Sequence, residues 1–293
     1  MDQTVRSSRL LSARTFLFVP GDQPDRILKA MRAKTDAVII DLEDAVRPEN
    51  KLLARGEIIS PIIENRTATS PLLLIRTNEM TSVEFVEDLK VALQLKVDAI
   101  VLPKFSSGAG AVEADKIISN LELEANESSA MAVIGLIEST SGVLNLINSS
   151  EIPSRVIRLA FGAADLYADL GVTYRASGPN TDLAMAALVL ASSHSQLGAP
   201  IDSPHFAIAD AEGLRQRSLF AHEIGFGGKL CIHPDQLEIV AESFKVSLND
   251  KDWAERVIER WSKRDQGLGA ILFDGSLVDE AMVKQAKKIL GLL

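Results

Sequence analysis

Two acidic residues of this chain directly follow apolar segments. Glu138 follows the segment 131–137, and Asp165 follows the segment 156–161 with only small residues between. Two carboxylates brought together in this way suit a hard divalent ion such as Mg²⁺, which prefers oxygen ligands and keeps several waters. A single acid at such a position is more often a helix N-cap or a partner for Arg76. The presence of two acids beside an arginine favours a metal site.

A second group of charged residues lies at the ends of two earlier apolar segments. Arg76 ends one of them, and the acids Asp41, Glu43 and Asp44 follow the other. The guanidinium of Arg76 could bind a carboxylate or an enolate oxygen through two parallel N–H groups. A buried salt bridge with Asp41 or Glu43 is an equally good interpretation. Because these acids alternate in direction, some are expected to orient Arg76 or metal-bound water.

Three further basic features permit other chemistry. Lys104 could form a Schiff base with a carbonyl substrate, but nearby acids would keep it protonated, which favours an ion pair. His233, beside Pro234 at the end of a segment, is interpreted as structural. A basic cluster on this acidic chain is either a solvated helix face or an anchor for phosphates. Its members are Arg6, Arg9, Arg14, Arg26, Lys29, Arg32 and Lys34.

The elements that position these residues are eight apolar segments that alternate with helical patterns. The segments read as continuously apolar, which is typical of parallel strands covered on both faces. Eight strands and eight helices predict a TIM (β/α)8 barrel, in which the loops after the strands share one mouth. A doubly wound sheet is the alternative, because periodicity does not report closure. The strands are predicted at 15–19, 37–41, 72–76, 99–103, 131–137, 156–161, 199–201 and 229–232. The helices are predicted from Asp22 to about Thr35 and at 49–64, 82–95, 111–123, 141–147, 181–196, 211–223 and 234–244.

The chain is predicted to have two parts, a barrel at 1–246 and a C-terminal helical segment at 247–293. The second part has amphipathic patterns at 253–265 and 278–292, joined by a glycine-rich stretch. It is too short for a large core of its own. We therefore expect it to pack on the barrel or on a neighbouring subunit.

Composition excludes several classes of protein. The 293 residues include 31 Lys and Arg against 40 Asp and Glu, and a formal net charge of −9 makes a general nucleic-acid or anionic-membrane surface improbable. The single cysteine, Cys231, cannot form an internal disulfide. No stretch reads as a signal peptide or membrane span. A soluble cytoplasmic protein is expected.

Seven motifs, in order along the chain, resemble those of the citrate lyase beta-subunit-like family. The match runs from about Arg14 to the C-terminus, and the motifs are specific as a set. They are Phe18-Val19-Pro20-Gly21 with Pro24-Asp25-Arg26, Asp41-Leu42-Glu43-Asp44-Ala45-Val46, Ile75-Arg76-Thr77-Asn78, Leu102-Pro103-Lys104, Leu136-Ile137-Glu138-Ser139, Phe161-Gly162-Ala163-Ala164-Asp165-Leu166 and Gly228-Lys229-Leu230-Cys231-Ile232-His233-Pro234.

The resemblance implies a TIM barrel, usually a homotrimer, that acts on acyl-CoA thioesters with Mg²⁺. It implies that Glu138 and Asp165 are the metal ligands and that Arg76 binds the substrate carboxylate or stabilises an enolate. It also implies that Asp279 reaches into a neighbouring subunit's site as acid and base, with Asp274 as a less favoured substitute. A plain N-cap is the alternative for Asp279.

The remaining mouth residues are candidates for catalysis or for contact with substrate. Asp41 and Glu43 are the further catalytic candidates. The substrate-binding candidates, besides Arg76, are Pro20, Gly21, Arg26 and Lys104.

The predicted reaction is reversible cleavage of a 3-hydroxyacyl-CoA into acetyl-CoA and a 2-oxo acid. Substrates of the citramalyl-CoA, malyl-CoA and citryl-CoA type all remain open. The alternatives are a non-catalytic CoA-binding or regulatory barrel and a Schiff-base aldolase that uses Lys104. One departure concerns specificity, because Ala184-Met185-Ala186-Ala187 stands where many relatives have Ala-Arg-Ser-Arg. The substrate preference of relatives is therefore not assumed for this chain.

Overall fold

A closed barrel of eight parallel strands dominates the computed structural model, which describes residues 3–58, 62, 66–148, 151–175, 177–264 and 269–292. Each strand pairs with the next, and β1 closes the barrel against β8. This closure confirms the TIM barrel and excludes the doubly wound sheet. The strands are β1 (Thr15–Pro20), β2 (Ala37–Asp41), β3 (Leu72–Arg76), β4 (Ala99–Leu102), β5 (Ala132–Ile137), β6 (Val156–Phe161), β7 (Ile201–Asp202) and β8 (Gly228–Cys231).

Helices follow the strands and cover the barrel. Short 3-10 turns at Pro48–Asn50 and Pro234–Gln236 begin two of the connections. The barrel helices are α1 (Gln3–Ser12), α2 (Pro24–Ala30), α3 (Lys51–Glu57), α4 (Phe85–Gln94), α5 (Ala109–Glu124), α6 (Thr140–Ile147), α7 (Ala163–Asp169), α8 (Pro179–His194), α9 (Ala211–Glu223) and α10 (Leu237–Ser243). The chain then continues with α11 (Leu248–Ser262), β9 (Ala270–Phe273), β10 (Ser276–Asp279) and α12 (Glu280–Ile289).

Each barrel strand is buried on both faces. Ile39 belongs to the cluster that fills the barrel, whereas its neighbours Val38 and Ile40 belong to the cluster beneath the helices. Successive side chains of a strand point to opposite faces, so a strand covered on both sides must be apolar at every position. This explains why the strands read as continuous apolar segments in the sequence.

A buried arginine holds the N-terminal segment against the barrel. Arg158, on β6, is fully buried, and its guanidinium donates to the main-chain oxygens of Leu10, Ala13 and Ala199 at 2.7 to 3.0 Å. Burial lowers the pKa of Arg158 to about 9. The main-chain oxygens offset part of the cost of burying this charge, and they tie the end of α1 to β6.

Several element bounds differ from the predicted ones. Helices α1 and α7 were not predicted, and β7 begins at Ile201, two residues later than expected. Part of the helix predicted at 49–64 lies outside the described residues. The helix predicted from residue 278 begins at Glu280, because β9 and β10 form an antiparallel hairpin. Its turn, Asp274-Gly275, has positive φ at both residues, which is typical of a two-residue hairpin turn.

Residues Lys245–Leu293 form a compact unit separate from Met1–Phe244. This C-terminal unit has a small apolar cluster of its own. Asp279 is the N-cap of α12, where it accepts hydrogen bonds from the amides of Ala281 and Met282. The buried members of the cluster are Ala254, Val257, Val278, Val283 and Ala286. Within the described residues, no helix is long and apolar enough to cross a membrane.

Candidate active site

A cavity of about 370 Å³ opens at the C-terminal ends of the barrel strands. Its charged lining comes from the ends of β2, β3, β5 and β6 and from α2. This is the face at which TIM-barrel enzymes have their active sites. The charged lining residues are Arg26, Asp41, Asp44, Arg76, Glu138 and Asp165.

The cavity includes some of the predicted site residues and leaves out others. Pro20 lines the cavity, whereas Gly21, Glu43 and Lys104 do not. Gly21 packs so closely against β2 that a Cβ atom there would lie 2.9 Å from the main-chain oxygen of Asp41. Its role is therefore in the packing of the loop. Asp279 belongs to the C-terminal unit.

Arg76 forms a buried salt bridge, as one of the two interpretations of this residue predicted. It also lines the cavity. Its Nε and Nη2 donate to the two carboxylate oxygens of Asp41 at 2.8 and 2.5 Å. Its Nη1 lies 2.9 Å from Oε2 of Glu43. Burial lowers the pKa of Arg76, and the ion pairs outweigh that effect and raise it above its ordinary value. Arg76 is therefore a permanent cation held in one orientation.

Glu138 has one satisfied and one unsatisfied carboxylate oxygen. Its side chain is buried, the main-chain amide of Lys104 donates to Oε1 at 2.7 Å, and Oε2 has no hydrogen-bond partner among the described residues. Burial, with a contribution from Asp165, raises the pKa of Glu138 to about 7. Burial and Asp44 raise the pKa of Asp165 as well. The neighbouring acids thus add to the pKa shifts, because the carboxylates repel one another.

The carboxylates fit a hard divalent cation. A buried oxygen without a partner costs free energy, and a cation at Oε2 of Glu138 would remove both this cost and the repulsion from Asp165. Within the described residues, no group of three or more His, Cys, Asp or Glu side chains is arranged to bind a metal. Mg²⁺ commonly binds through one or two protein carboxylates and completes its shell with water or substrate.

Neither acid is the N-cap that was its alternative interpretation. Ser139 caps α6 by accepting a hydrogen bond from the amide of Gly142, and Gly162 occupies the N-cap position of α7. Asp165 lies in the first turn of α7, where a negative charge is favoured. The capping role is thus filled by other residues, and both carboxylates are available to the cavity.

Gly162 provides the space that Glu138 occupies. A Cβ atom at residue 162 would lie 2.5 Å from Cβ and 2.7 Å from Oε2 of Glu138. We expect Gly162→Ala to displace the Glu138 carboxylate and to weaken Mg²⁺ binding at least about tenfold, because a packed site has no room for an added methyl group. Isothermal titration with Mg²⁺ measures this effect.

The control for that variant is Gly56→Ala. Gly56 is exposed on α3, and nothing lies within 4 Å of the Cβ atom that the substitution would add. Gly56→Ala should bind Mg²⁺ as the wild type does. Unchanged Mg²⁺ affinity in Gly162→Ala, with its circular dichroism spectrum also unchanged, would contradict the proposed role of Glu138.

Lys104 contacts Glu138 through its main-chain amide. Its φ of +47° is rare for a residue with a side chain, and this conformation aims its amide at Glu138. The ammonium group is half-exposed and lies 3.2 Å from Oε2 of Glu79, which raises the pKa of Lys104. A Schiff-base lysine needs a lowered pKa. The Lys104 side chain does not line the cavity, and its ion pair with Glu79 removes support from the Schiff-base alternative.

A buried polar network behind the cavity was not predicted. The ammonium group of Lys51 contacts the main-chain oxygens of Leu42 and Glu43 and the side-chain oxygen of Asn78. Asn78 in turn donates twice to the fully buried Asp88. This network fixes the loop that supplies the acids of residues 41–44. Asp88 was missed because it lies within a regular helical pattern.

Asp202 directly follows the predicted strand 199–201, but its side chain does not line the cavity. Its carboxylate pairs with the ammonium of Lys229 on the adjacent strand, and both side chains are buried. Residues 201 and 230 face the barrel interior. Because side chains alternate along a strand, Asp202 and Lys229 face the helices.

We expect Glu43 to make the stability of the protein depend on pH. Burial raises its pKa from 4.5 to about 8, with Arg76 opposing and nearby acids adding to the shift. Between about pH 5 and pH 8 the folded protein therefore binds a proton that the unfolded chain has released. The free energy of unfolding should fall as pH rises through this window, by up to about 1.4 kcal/mol per pH unit.

We expect Glu43→Gln to remove this dependence, because glutamine cannot ionise. Urea unfolding of the wild type and the variant at pH 5.5, 6.5 and 7.5, in the presence of EDTA, tests it. The variant should become more stable than the wild type as pH rises. Parallel profiles for the two proteins would show that Glu43 is ionised in the folded state.

Comparisons with known proteins show which family the chain belongs to. The family model described as HpcH/HpaI aldolase/citrate lyase matches residues 14–234. The citrate lyase subunit beta-like protein of Deinococcus radiodurans is 32% identical over 95% of this chain and 96% of its own. The L-malyl-CoA/beta-methylmalyl-CoA lyase of Rhodobacter capsulatus is 28% identical over 94% of this chain and 93% of its own.

A solved structure extends the comparison to the fold. CitE from Mycobacterium tuberculosis, in complex with magnesium, acetoacetate and coenzyme A, has a TM-score of 0.75 and 26% sequence identity. The alignment covers 96% of this chain and 98% of CitE. The resemblance seen in the motifs is thus confirmed over nearly the whole length, and the chain is an enzyme that belongs to the HpcH/HpaI aldolase/citrate lyase family.

Proposed function

We propose that this protein is a Mg²⁺-dependent carbon–carbon lyase that reversibly cleaves a 3-hydroxyacyl-CoA into acetyl-CoA and a 2-oxo acid. The observation that supports this reaction most is the buried carboxylate of Glu138, whose Oε2 has no partner among the described residues. It lies in the same cavity as Asp165 and the permanently charged Arg76. The names of the relatives, which include citrate lyase and malyl-CoA lyase, point to the same chemistry.

Glu138 and Asp165 are the proposed ligands of the metal. When bound, Mg²⁺ would act as a Lewis acid toward the oxygens of the 2-oxo acid portion. The amide of Lys104 donates to Glu138, and Gly162 leaves room for the Glu138 side chain in this position. A ligand fixed in this way needs little rearrangement when the metal binds.

Arg76 is the proposed stabiliser of the thioester enolate. As the 3-hydroxyl group of the substrate loses its proton to solvent and becomes the keto oxygen of the 2-oxo acid, the bond between C2 and C3 breaks. The electron pair of that bond moves onto the thioester and creates an oxyanion. Two N–H groups of Arg76 donate to Asp41, and Nη1 lies 2.9 Å from Oε2 of Glu43, so the guanidinium keeps N–H groups for this oxyanion. Because Asp41 and Glu43 fix the guanidinium before substrate binds, its stabilisation of the developing charge is preorganised.

Arg26 is the proposed contact for a phosphate of CoA. Its side chain is exposed and lines the cavity, and no hydrogen bond or ion pair engages it within the described part of the chain. Lys29 and Arg32 follow at the next turns of this segment. A guanidinium free at the rim suits an anion that remains largely in water.

Asp279 is the proposed acid and base at the acetyl carbon, supplied by a neighbouring subunit of a homotrimer. If this is correct, mixed oligomers of two inactive variants should regain activity. Asp279→Ser keeps an oxygen for capping α12 and removes the carboxylate. Random assembly of this variant with Glu138→Gln should restore about a quarter of the wild-type sites.

That complementation is measured after the two variants are unfolded and refolded together. Each variant refolded alone is the control, and neither should exceed background. Mixed oligomers, verified by mass spectrometry, that stay at background would contradict the supply of Asp279 from a neighbouring subunit.

The direct test of the proposed function is a thioester cleavage assay. Citramalyl-CoA and malyl-CoA should be cleaved to acetyl-CoA and the 2-oxo acid, and EDTA should abolish cleavage until excess Mg²⁺ is added. Full activity after metal removal would contradict the scheme. Tight binding of CoA thioesters without turnover of any of them would favour the alternative, a regulatory barrel that binds CoA.

A further inference from the structure

The cavity has one charged wall and one apolar wall. The charged wall comes from the ends of β2, β3, β5 and β6. The apolar wall lies beside β6, after β7 and at the end of β8, and its side chains have no polar group. It consists of Pro204, Phe206, Leu230 and Ile232.

The apolar wall is fixed in position by a buried glutamine. The side chain of Gln236 donates to the main-chain oxygen of His205 at 2.7 Å and accepts from the amide of Ile232 at 2.9 Å. Gln236 is almost fully buried. One side chain thus ties the loop between Pro204 and Phe206 to the residue after β8.

Phe206 is braced from the other side by aromatic contacts. Its ring meets Tyr174 edge to face at 5.6 Å between centroids, and Tyr174 meets Tyr167 in the same way at 5.5 Å. The hydroxyl of Tyr167 is hydrogen-bonded to Thr181 at 2.9 Å. The wall is therefore a preformed surface, although 46% of Phe206 is exposed.

The cavity has little positive charge to offer a second carboxylate. Four carboxylates line it, and the described residues supply two guanidiniums, those of Arg26 and Arg76. The charge of Arg76 is already matched by Asp41, whose carboxylate oxygens lie 2.8 and 2.5 Å from Nε and Nη2. Arg26 is exposed on α2 at the rim. A bound Mg²⁺ would offset the repulsion between the acids of the charged wall and would serve one 2-oxo carboxylate.

These observations restrict the 2-oxo acid, given the proposed function on which this inference rests. With its carboxylate and keto oxygen at the metal, the acid must direct its remaining substituent into the cavity. A second carboxylate there would either face the acids of the charged wall or lose its water against the apolar wall without a partner. A hydrogen or a short alkyl group in the same place is not repelled by the acids and loses no hydrogen bonds to water.

We propose that this enzyme is selective for a monocarboxylic 2-oxo acid with a hydrogen or short alkyl substituent, and that the apolar wall of Pro204, Phe206, Leu230 and Ile232 excludes dicarboxylic 2-oxo acids. Citramalyl-CoA and malyl-CoA, which release pyruvate and glyoxylate, fit this class. Citryl-CoA, which releases oxaloacetate, does not.

The first test compares cleavage of these thioesters by the Mg²⁺-loaded enzyme. The kcat/KM for citramalyl-CoA should exceed that for citryl-CoA by at least about 100-fold, because a buried charge without a partner is rejected strongly. Comparable or higher kcat/KM for citryl-CoA would overturn the proposal.

The second test adds a cation to the wall. Phe206→Arg should shift the ratio of kcat/KM toward citryl-CoA at least about tenfold. Leu219→Arg adds the same charge on α9, outside the cavity lining and at a similar exposure of 43%, and should leave the ratio unchanged. No shift with Phe206→Arg, or an equal shift with both variants, would overturn the role of the wall.

A binding measurement separates this inference from the proposed reaction. Isothermal titration of the Mg²⁺-loaded protein compares 2-oxobutyrate with freshly dissolved oxaloacetate, which has a carboxylate in place of the terminal methyl group. Tighter binding of 2-oxobutyrate supports the selectivity, and tighter binding of oxaloacetate overturns it. If no thioester is cleaved, the proposed reaction fails, and this comparison still decides the selectivity.

Discussion

Glu138→Gln is expected to lower kcat at least about 1000-fold and to abolish measurable Mg²⁺ binding. The substitution keeps the size of the side chain and its contact with the amide of Lys104, but it removes the charge at the oxygen that has no partner among the described residues. A neutral amide is a poor ligand for Mg²⁺, which selects carboxylates. The loss of the metal removes its Lewis-acid contribution, which amounts to several kcal/mol.

The matched control for this variant is Glu122→Gln. Glu122 is also a buried glutamate, but it pairs with Arg155 on the outside of the barrel and does not line the cavity. The Glu122→Gln variant should lose stability and keep the kcat and the Mg²⁺ affinity of the wild type. Steady-state kinetics and isothermal titration measure both variants. A Glu138→Gln protein that binds Mg²⁺ as the wild type does would remove Glu138 from the metal site.

Arg76→Lys is expected to lower kcat about 100- to 1000-fold, with a smaller change in Mg²⁺ affinity. Lysine keeps the charge and part of the ion pairing with Asp41, but it cannot also present two N–H groups in a fixed plane toward an oxyanion. Loss of one preorganised oxyanion donor in other enzymes has an effect of this size. Arg76→Lys also avoids leaving Asp41 without a cation, which would cost about 3 to 5 kcal/mol.

Arg155→Lys is the control for Arg76→Lys. The Arg155 side chain is 8% exposed, against 11% for Arg76, and it forms ion pairs with Asp115 and Glu122 away from the cavity. Both variants should lose stability in urea unfolding. Only Arg76→Lys should lose kcat by two orders of magnitude or more. Equal losses of kcat in the two variants would mean that Arg76 acts through the fold alone.

The barrel could be predicted from the sequence because each of its strands is buried on both faces. Strands such as Leu72–Arg76 are apolar at every position except the last, where Arg76 meets the cavity. Once the strands are aligned, the residue that follows each strand must lie at the common mouth. This reasoning placed Glu138, Asp165, Asp41 and Arg76 correctly at the cavity.

The parts that could not be predicted depend on the main chain and on single buried side chains. The contact of Lys104 with Glu138 requires a positive φ at a residue that is not glycine, and no sequence pattern indicates that conformation. Gln236 joins two loops through main-chain atoms, which any sequence would provide. The sequence does not indicate which way Asp202 points, because a strand of two residues leaves its orientation open.

The hairpin of the C-terminal unit was missed although the sequence contains its signal. Asp274-Gly275 is a typical two-residue turn, and the flanking segments 270–273 and 276–279 are short and largely apolar. The amphipathic pattern predicted at 278–292 includes the last two residues of the second strand. The strand ends at Asp279, whose carboxylate begins the helix as its N-cap. The N-cap, rather than the first apolar residue, marks where that helix begins.

The most direct measurement of the central claim is an anomalous diffraction map from crystals of the protein soaked in Mn²⁺, which substitutes for Mg²⁺ at oxygen sites. We predict a single strong peak in the cavity at about 2.1 Å from carboxylate oxygens of both Glu138 and Asp165. An empty cavity at saturating Mn²⁺, or a peak bound by other residues while these two side chains point away from each other, would contradict the account.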